Sequence, residues 1–398
     1  MIDLKNITFD HCLKCTVCTI YCPVARVSPE FPGPKQSGPD AERLRIKDPG
    51  LLDDSLRFCT NCKRCEIACP SDVRIADIIQ TAKWKYAGRT FRPRDFLLGR
   101  TDLLGRPAVR ASRLVNALAG FKPARILADK LFRIPVDRPL PRYDRGTFER
   151  WFSDHASSQD GFERKAVYFH GCYVNYNDHA LGRDVVRLLN ALGFGVTLTR
   201  EVCCGVPLMA GGYIDRARKN ARHNIGVLTR ASGEAARIVS ASSTCSFALK
   251  NEYPNLLGLD NSAIAGRIEY ITRFVHRCFE EGPVPRLGPL DLTVAYHAPC
   301  HLERMGGALY TIELLKRIPG LNLKLLHSEC CGIAGTYGFK SEFHPVAQEV
   351  GRDLFRRIEA IRPDVVITDC ETCKWQIELN TSRPVLHPVT LLCQSLDV

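Results

Sequence analysis

Eight cysteines between positions 12 and 69 repeat one spacing twice: Cys12-x2-Cys15-x2-Cys18-x3-Cys22-Pro23 and Cys59-x2-Cys62-x2-Cys65-x3-Cys69-Pro70. Thiolates at this spacing ligate two 4Fe-4S cubanes, with the first three cysteines of a run on one cluster and the fourth on the other. Cys12, Cys15, Cys18 and Cys69 are therefore expected at one cluster, and Cys59, Cys62, Cys65 and Cys22 at its neighbour. Such tight loops aim backbone amides at the sulfurs, and Pro23 and Pro70 stop the chain from continuing as helix. Zinc takes four ligands, commonly as separated Cys-x2-Cys pairs, which does not describe three closely spaced cysteines in succession, twice over.

Nine further cysteines form a second pattern. Cys172, Cys203, Cys204 and Cys245 are followed by Cys300, Cys330, Cys331, Cys370 and Cys373, and the matching members lie 128, 127 and 128 residues apart (Cys172 and Cys300, Cys203 and Cys330, Cys245 and Cys373). This is an internal duplication. Adjacent cysteines in a small-residue turn bring two sulfurs to one cluster, and Gly205 or Gly332 lets the backbone come close. The second copy offers five thiols. The first offers four, because Ser242 stands where Cys370 would match, and a hydroxyl is a poor ligand for iron–sulfur; the metal or cluster of that copy is left open. Cys278 and Cys393 fall outside both patterns and read as small buried hydrophobes.

The elements that must position these groups can be read around them. After Cys69, Ser71 is expected to cap a helix that buries Val73, Ile75, Ile78, Ile79 and Ala82. From about residue 163 strands and helices alternate. Strands are expected at Ala166–His170, Val196–Thr199, Arg237–Ala241, Leu292–His297 and Val365–Thr368, and helices near 182–192, 216–231 and 346–361. The cysteines follow strand ends, where open α/β sheets carry their ligands. His170, His297 and His301 lie beside cysteines and are expected to orient ligands rather than to deliver protons or bind quinone.

The fold class expected is a multidomain α+β and α/β chain. Residues 1–88 form a helical ferredoxin-type domain for two 4Fe-4S clusters, 89–160 a basic connector, 161–285 the first cysteine-rich repeat and 286–398 the second. The net charge of +12 over 398 residues is concentrated: residues 89–145 hold 14 Lys and Arg against five Asp. Leu114, Leu118, Phe121, Ile126, Leu127, Leu131 and Ile134 recur there at helical spacing among Arg110, Arg113, Lys122, Arg125, Lys130 and Arg133, which suits either a lipid interface or a neighbouring protein surface. No nucleic-acid motif accompanies the charge, and no glycine-rich dinucleotide loop follows a strand, so neither nucleic acid nor a flavin or NAD site is expected. Nineteen cysteines without an apolar leader at the start point to a cytoplasmic protein that uses its thiols as metal ligands. No charge-free run reaches the length of a membrane span.

The repeat of Cys…Cys-Cys-Gly…Cys-x2-Cys is similar to the cysteine-rich domain of heterodisulfide reductase B subunits, where five cysteines hold a noncubane 4Fe-4S cluster. The same domain occurs in iron–sulfur subunits of glycolate oxidase. The whole chain resembles the C subunit family of anaerobic glycerol-3-phosphate dehydrogenases, from "FPGPKQSGPDAERLRIKD" through "FHGCYVNYN", "CCGVPL", "SSTCSFAL" and "CCGIAGTYGFK" to "TDCETCKWQIE". The resemblance implies two cubanes, a noncubane cluster on Cys300, Cys330, Cys331, Cys370 and Cys373, and an electron-transfer subunit rather than the substrate-oxidising one. It implies flavoprotein partners of the A and B type, menaquinone as acceptor, and a role as peripheral anchor on the cytoplasmic face of the inner membrane. The alternatives are a disulfide reductase of the heterodisulfide type, against which Ser242 argues, and a glycolate or lactate oxidase subunit, which differs only in partner.

Overall fold

The computed structural model describes residues 9–51, 53–86, 92–233, 236–326 and 330–396. The boundary expected at residues 88 and 89 lies outside them. Two four-stranded parallel sheets organise the chain. The first runs β2-β1-β3-β4, with β1 Arg164–Tyr168, β2 Phe194–Leu198, β3 Arg237–Ser240 and β4 Ile268–Tyr270. The second repeats the order as β6-β5-β7-β8, with β5 Thr293–His297, β6 Asn322–Leu325, β7 Val365–Thr368 and β8 Val385–Leu386. Matching registers, such as Tyr168 opposite Val239 and Tyr296 opposite Ile367, make the second sheet a copy of the first. The central strands are apolar runs buried on both faces, as helix-covered parallel strands must be.

The repeats are not independent bodies. Helix His179–Ala191 of the first packs on Pro388–Leu396 of the second, and Ile271–Glu281 packs on Ala308–Lys316. Leu188, Leu189 and Phe274 share one core with Leu314, Leu315, Leu391 and Leu392. Each half closes the other's apolar face.

The N-terminal cysteine runs rest on helix Ile75–Tyr86, whose Ile75, Ile78, Ile79 and Ala82 are buried together with Val73. Ser71 does not cap it. The cap comes from Glu66, in the second cysteine run, whose carboxylate accepts from the amides of Ala76 (3.1 Å) and Asp77 (3.3 Å). A tertiary carboxylate has replaced the local hydroxyl, tying the helix to the loop it supports. This layer docks on both repeats: Phe58 meets Phe343 edge to face (5.6 Å), Trp84 Nε1 donates to Met209 O (3.2 Å), and Arg64 pairs with Glu303 (2.8 Å).

Between these parts run helices Pro93–Gly99, Thr101–Arg110, Ser112–Gly120 and Lys122–Phe132. The second lies on the helix of Cys172, with Gly105 so close to the Tyr176 ring that a Cβ there would stand 2.4 Å from it. The last two are joined through Phe121 and touch each other, and Lys122–Phe132 has no buried residue.

Candidate metal centres

In each N-terminal run, the residues on both sides of the middle cysteine adopt the left-handed conformation: Lys14 (φ 58°) and Thr16 (φ 64°), then Asn61 (φ 56°) and Lys63 (φ 64°). Such a backbone is costly for residues with a Cβ, and its recurrence at matched positions curls each loop so that its thiols face inward. Short helices Val17–Ile20 and Arg64–Ile67 follow and pack against each other. Cys18 then faces Cys12, Cys69 and Cys15, which together line one small cleft. Cys22 crosses to face Cys62 and Cys59, and Cys65 faces the same group. These are the two sets of four that the spacing pairs.

Donors are aimed at the sulfurs. Val73 N lies 3.4 Å from Cys69 Sγ, and Gln80 Nε2 lies 3.6 Å from Cys59 Sγ. Behind the second run, Lys63 is fully buried between Asp77, to which it donates, and Glu66 (3.6 Å). Burial alone would lower its affinity for a proton, but Asp77, Glu66 and Glu252 together hold it well above the ordinary lysine value.

In the repeats the nine cysteines of the duplicated pattern each follow the carboxyl end of a strand. After β1 comes Cys172, after β2 the pair Cys203-Cys204, and after β3 Cys245; after β5 comes Cys300, after β6 Cys330-Cys331, and after β7 Cys370 and Cys373. Gly205 (φ 93°) and Gly332 (φ 87°) turn the paired-cysteine loops. At Gly332 a Cβ would stand 1.9 Å from Ala347 O, so only glycine fits; at Gly205 a Cβ would meet Ala217 at an ordinary contact distance of 3.5 Å, and the left-handed φ alone favours glycine.

The thiols of Cys172, Cys203, Cys204 and Cys245 neighbour one another in that order. In the second repeat Cys330, Cys331, Cys373 and Cys370 do the same, with Cys331 Sγ 3.2 Å from Cys373 Sγ, and Cys300 faces Cys331 and Cys370. Burial pushes the Cys22 thiol up to about 12 and raises Cys65 and Cys300 as well. Sulfurs so withdrawn from water, with amide donors aimed at them, become thiolates when a cationic centre takes the place of their protons. The donor sets suit iron–sulfur clusters on this ground. Cys278 is half-buried and Cys393 is buried, its Sγ 3.2 Å from Asp184 O; neither joins a thiol group.

One cavity of about 180 Å³ joins three of these centres. Its walls carry Cys59 and Cys62 from the ferredoxin-type part and the thiols of both repeats, and Cys62 is a near neighbour of Cys300 and Cys330.

The three histidines divide. The ring of His297, with Cys331 and Cys373, offers ligand atoms within 4.8 Å of one another. His301 stacks on Phe247 (4.9 Å) and reaches Asn61 O (3.2 Å); burial lowers it to about 4, so it is a neutral link between the second cysteine run and the repeats. Burial also opposes charge on His170, but Glu201 and Glu149 outweigh it and raise the ring to about 9.

Sequence reasoning missed the carboxylates around these sites. Asp369 is fully buried where the repeats meet and accepts from Tyr296 (2.6 Å), Tyr270 (2.9 Å) and Thr311 (3.0 Å). The duplication held the signal: Tyr296 matches Tyr168, but Asp369 matches Ala241, and the Tyr168 hydroxyl is left without a hydrogen-bond partner among the described residues.

Residues 8–73 match the family described as 4Fe-4S dicluster domain, and residues 166–250 and 294–378 each match the Cysteine-rich domain family. Over 398 residues the chain is 25% identical to the B subunit of fumarate reductase (CoM/CoB) from Methanothermobacter marburgensis, covering 96% of this chain and 70% of the relative. To the D subunit of dihydromethanophenazine:CoB–CoM heterodisulfide reductase from Methanosarcina barkeri it is 25% identical over 414 residues, covering 94% and 90%. It is 51% identical over 397 residues to the C subunit of anaerobic glycerol-3-phosphate dehydrogenase from Escherichia coli (strain K12), covering 99% of this chain and 100% of the relative. The chain is an iron–sulfur protein, and it belongs to the family of anaerobic glycerol-3-phosphate dehydrogenase C subunits.

Proposed function

We propose that this chain carries electrons from a flavoprotein dehydrogenase to menaquinone and attaches that enzyme to a membrane surface. Electrons enter at the ferredoxin-type part, residues 1–88, and leave from the second repeat, residues 286–398. The observation that carries the reading is the meeting of Cys62 with Cys300 and Cys330 in one cavity, which makes the second cysteine run adjacent to the repeat with five thiols. Iron–sulfur clusters supply one-electron transfer when bound. The chain holds them with Cys12, Cys15, Cys18 and Cys69, with Cys22, Cys59, Cys62 and Cys65, and with Cys300, Cys330, Cys331, Cys370 and Cys373; its amide donors tune them, and packing withdraws the second and third sets further from water than the first, where Cys15 is exposed. The name of the Escherichia coli relative supports a glycerol-3-phosphate dehydrogenase as the source of electrons.

Attachment rests on the connector. Leu114, Leu118, Leu127 and Leu131 on its last two helices, and Phe121 between them, are each at least half exposed. Arg110, Arg113, Lys122, Arg125 and Lys130 around them make no ion pair among the described residues, whereas Arg94, Arg100 and Arg138 nearer the domains are spent on internal partners. No helix among the described residues is long and apolar enough to cross a membrane. An exposed apolar stripe edged by such cations suits the interface of an anionic bilayer at the cytoplasmic face of the inner membrane.

Each cation near such a surface contributes about 1 kcal/mol, so reversing Arg110, Arg113 and Arg125 to Glu is expected to weaken vesicle binding by roughly a hundredfold or more. Flotation with anionic vesicles measures it, and menaquinone reduction by the reconstituted dehydrogenase should fall in parallel while dye reduction by the flavoprotein persists. Undiminished flotation of the triple variant would assign the stripe to a protein partner instead.

A further inference from the structure

The position that supplies the fifth thiol of the second repeat, Cys370, is Ser242 in the first. Ser242 caps its own short helix, accepting from Cys245 N (3.2 Å), and its hydroxyl donates to both carboxylate oxygens of Glu371, each at 3.3 Å. Glu371 belongs to the second repeat, yet its side chain faces the first: it lines the cavities that Cys172 and Cys245 line, and Cys203 is the thiol whose charge it feels. The two cap segments lie face to face here, with Ser243 N donating to Asp369 O (3.4 Å) and Thr244 Oγ1 4.0 Å from Cys370 Sγ. One hydrogen bond therefore separates the Glu371 carboxylate from the hydroxyl that replaces the missing sulfur.

No basic side chain pairs with Glu371 among the described residues. Lys374, further along the same helix, is committed to Glu378 (3.0 Å) and to the carbonyl of Val385 (2.5 Å). A carboxyl group withdrawn into a cavity beside thiols and lacking a cation keeps its proton unless a metal centre takes the proton's place. A tetrathiolate zinc ion would be closed by the four cysteines and would leave the carboxylate uncompensated. An iron–sulfur cluster can accept an oxygen donor at one iron.

We propose that Glu371 is the fifth donor of the first repeat, completing with Cys172, Cys203, Cys204 and Cys245 a mixed thiolate–carboxylate site for an iron–sulfur cluster. One segment, Cys370 to Cys373, then serves both centres, its cysteines on its own and its glutamate on the other. The inference rests on reading the repeats as iron–sulfur domains.

The test uses the full chain purified without oxygen, with iron, sulfide and zinc analysis and low-temperature EPR. Cys204→Ser should remove about four irons and one EPR component, which defines the first-repeat cluster. Glu371→Gln keeps an acceptor for the Ser242 hydroxyl, so a purely structural role would leave that component unmoved; ligation predicts that it shifts or disappears. Adding Ser242→Cys to Glu371→Gln should restore the iron by returning a thiol to the site. An unchanged component in Glu371→Gln would overturn the assignment of the carboxylate, and zinc released in place of iron by Cys204→Ser would overturn the cluster. Cys331→Ser reports the second repeat separately: if it too removes no iron, the failure lies with the reading of the repeats and not with Glu371 alone.

Discussion

Replacing Cys331 or Cys373 by serine should reduce menaquinone reduction by the assembled dehydrogenase to the level seen when this chain is left out, while the flavoprotein still oxidises its substrate with a soluble dye. Both sulfurs are buried, 3.2 Å apart, and flanked by His297, at the centre of the five-thiol group. A hydroxyl there loses the soft donor that iron prefers and leaves the remaining buried thiols without compensating charge. The effect is large because the first repeat lacks the matching fifth thiol and is not an equivalent exit. Near-normal quinone reduction with the cluster demonstrably lost would make the duplicated part a scaffold.

A second large effect is expected at Lys63. Lys63→Met removes the cation that lies among Asp77, Glu66 and Glu252, all of them 5% exposed or less. Taking one partner from a buried charge cluster costs about 3–5 kcal/mol, since Asp77 and Glu252 stay buried without their cation and Glu66 keeps only Arg304 (3.6 Å) as a charged partner. Glu66 also caps the supporting helix, and Glu252 accepts from Asn61 (2.7 Å) of the second cysteine loop, so the loss should loosen that loop first. Bleaching of the visible absorption in urea should move to clearly lower denaturant, with Asp48→Asn, at an exposed turn, as the neutral control. An unchanged midpoint in Lys63→Met would mean that the network is solvated.

Much of this arrangement is legible in the chain. The central strands lie within about two residues of where the sequence puts them, because helix-covered parallel strands read as short apolar runs that stop at a cysteine. Strands β4, β6 and β8 leave no such trace: the first and last span three and two residues, and Asn322–Leu325 is an edge strand alternating polar and apolar with little burial. The Ser71 cap fails because a residue further back in the chain wins the helix terminus. The connector's charge is visible in sequence, but its division is not, since Arg138 is buried against Gln376, 238 positions away, while Arg113 faces solvent. Nor does spacing reveal that Cys62 meets Cys300 or that Glu371 reaches across to Ser242, because both depend on how duplicated halves dock.

The central claim is that electrons pass from the second cysteine run into the second repeat. The direct measurement is rapid-freeze EPR of the dehydrogenase assembled with Cys62→Ser, reduced by glycerol 3-phosphate, after metal analysis has shown that the neighbouring cluster is lost and the second-repeat cluster retained. The predicted result is a second-repeat cluster that stays oxidised under substrate yet is reduced by dithionite. Its reduction by substrate at the wild-type rate would contradict the account, because electrons would then reach the repeats without passing Cys62.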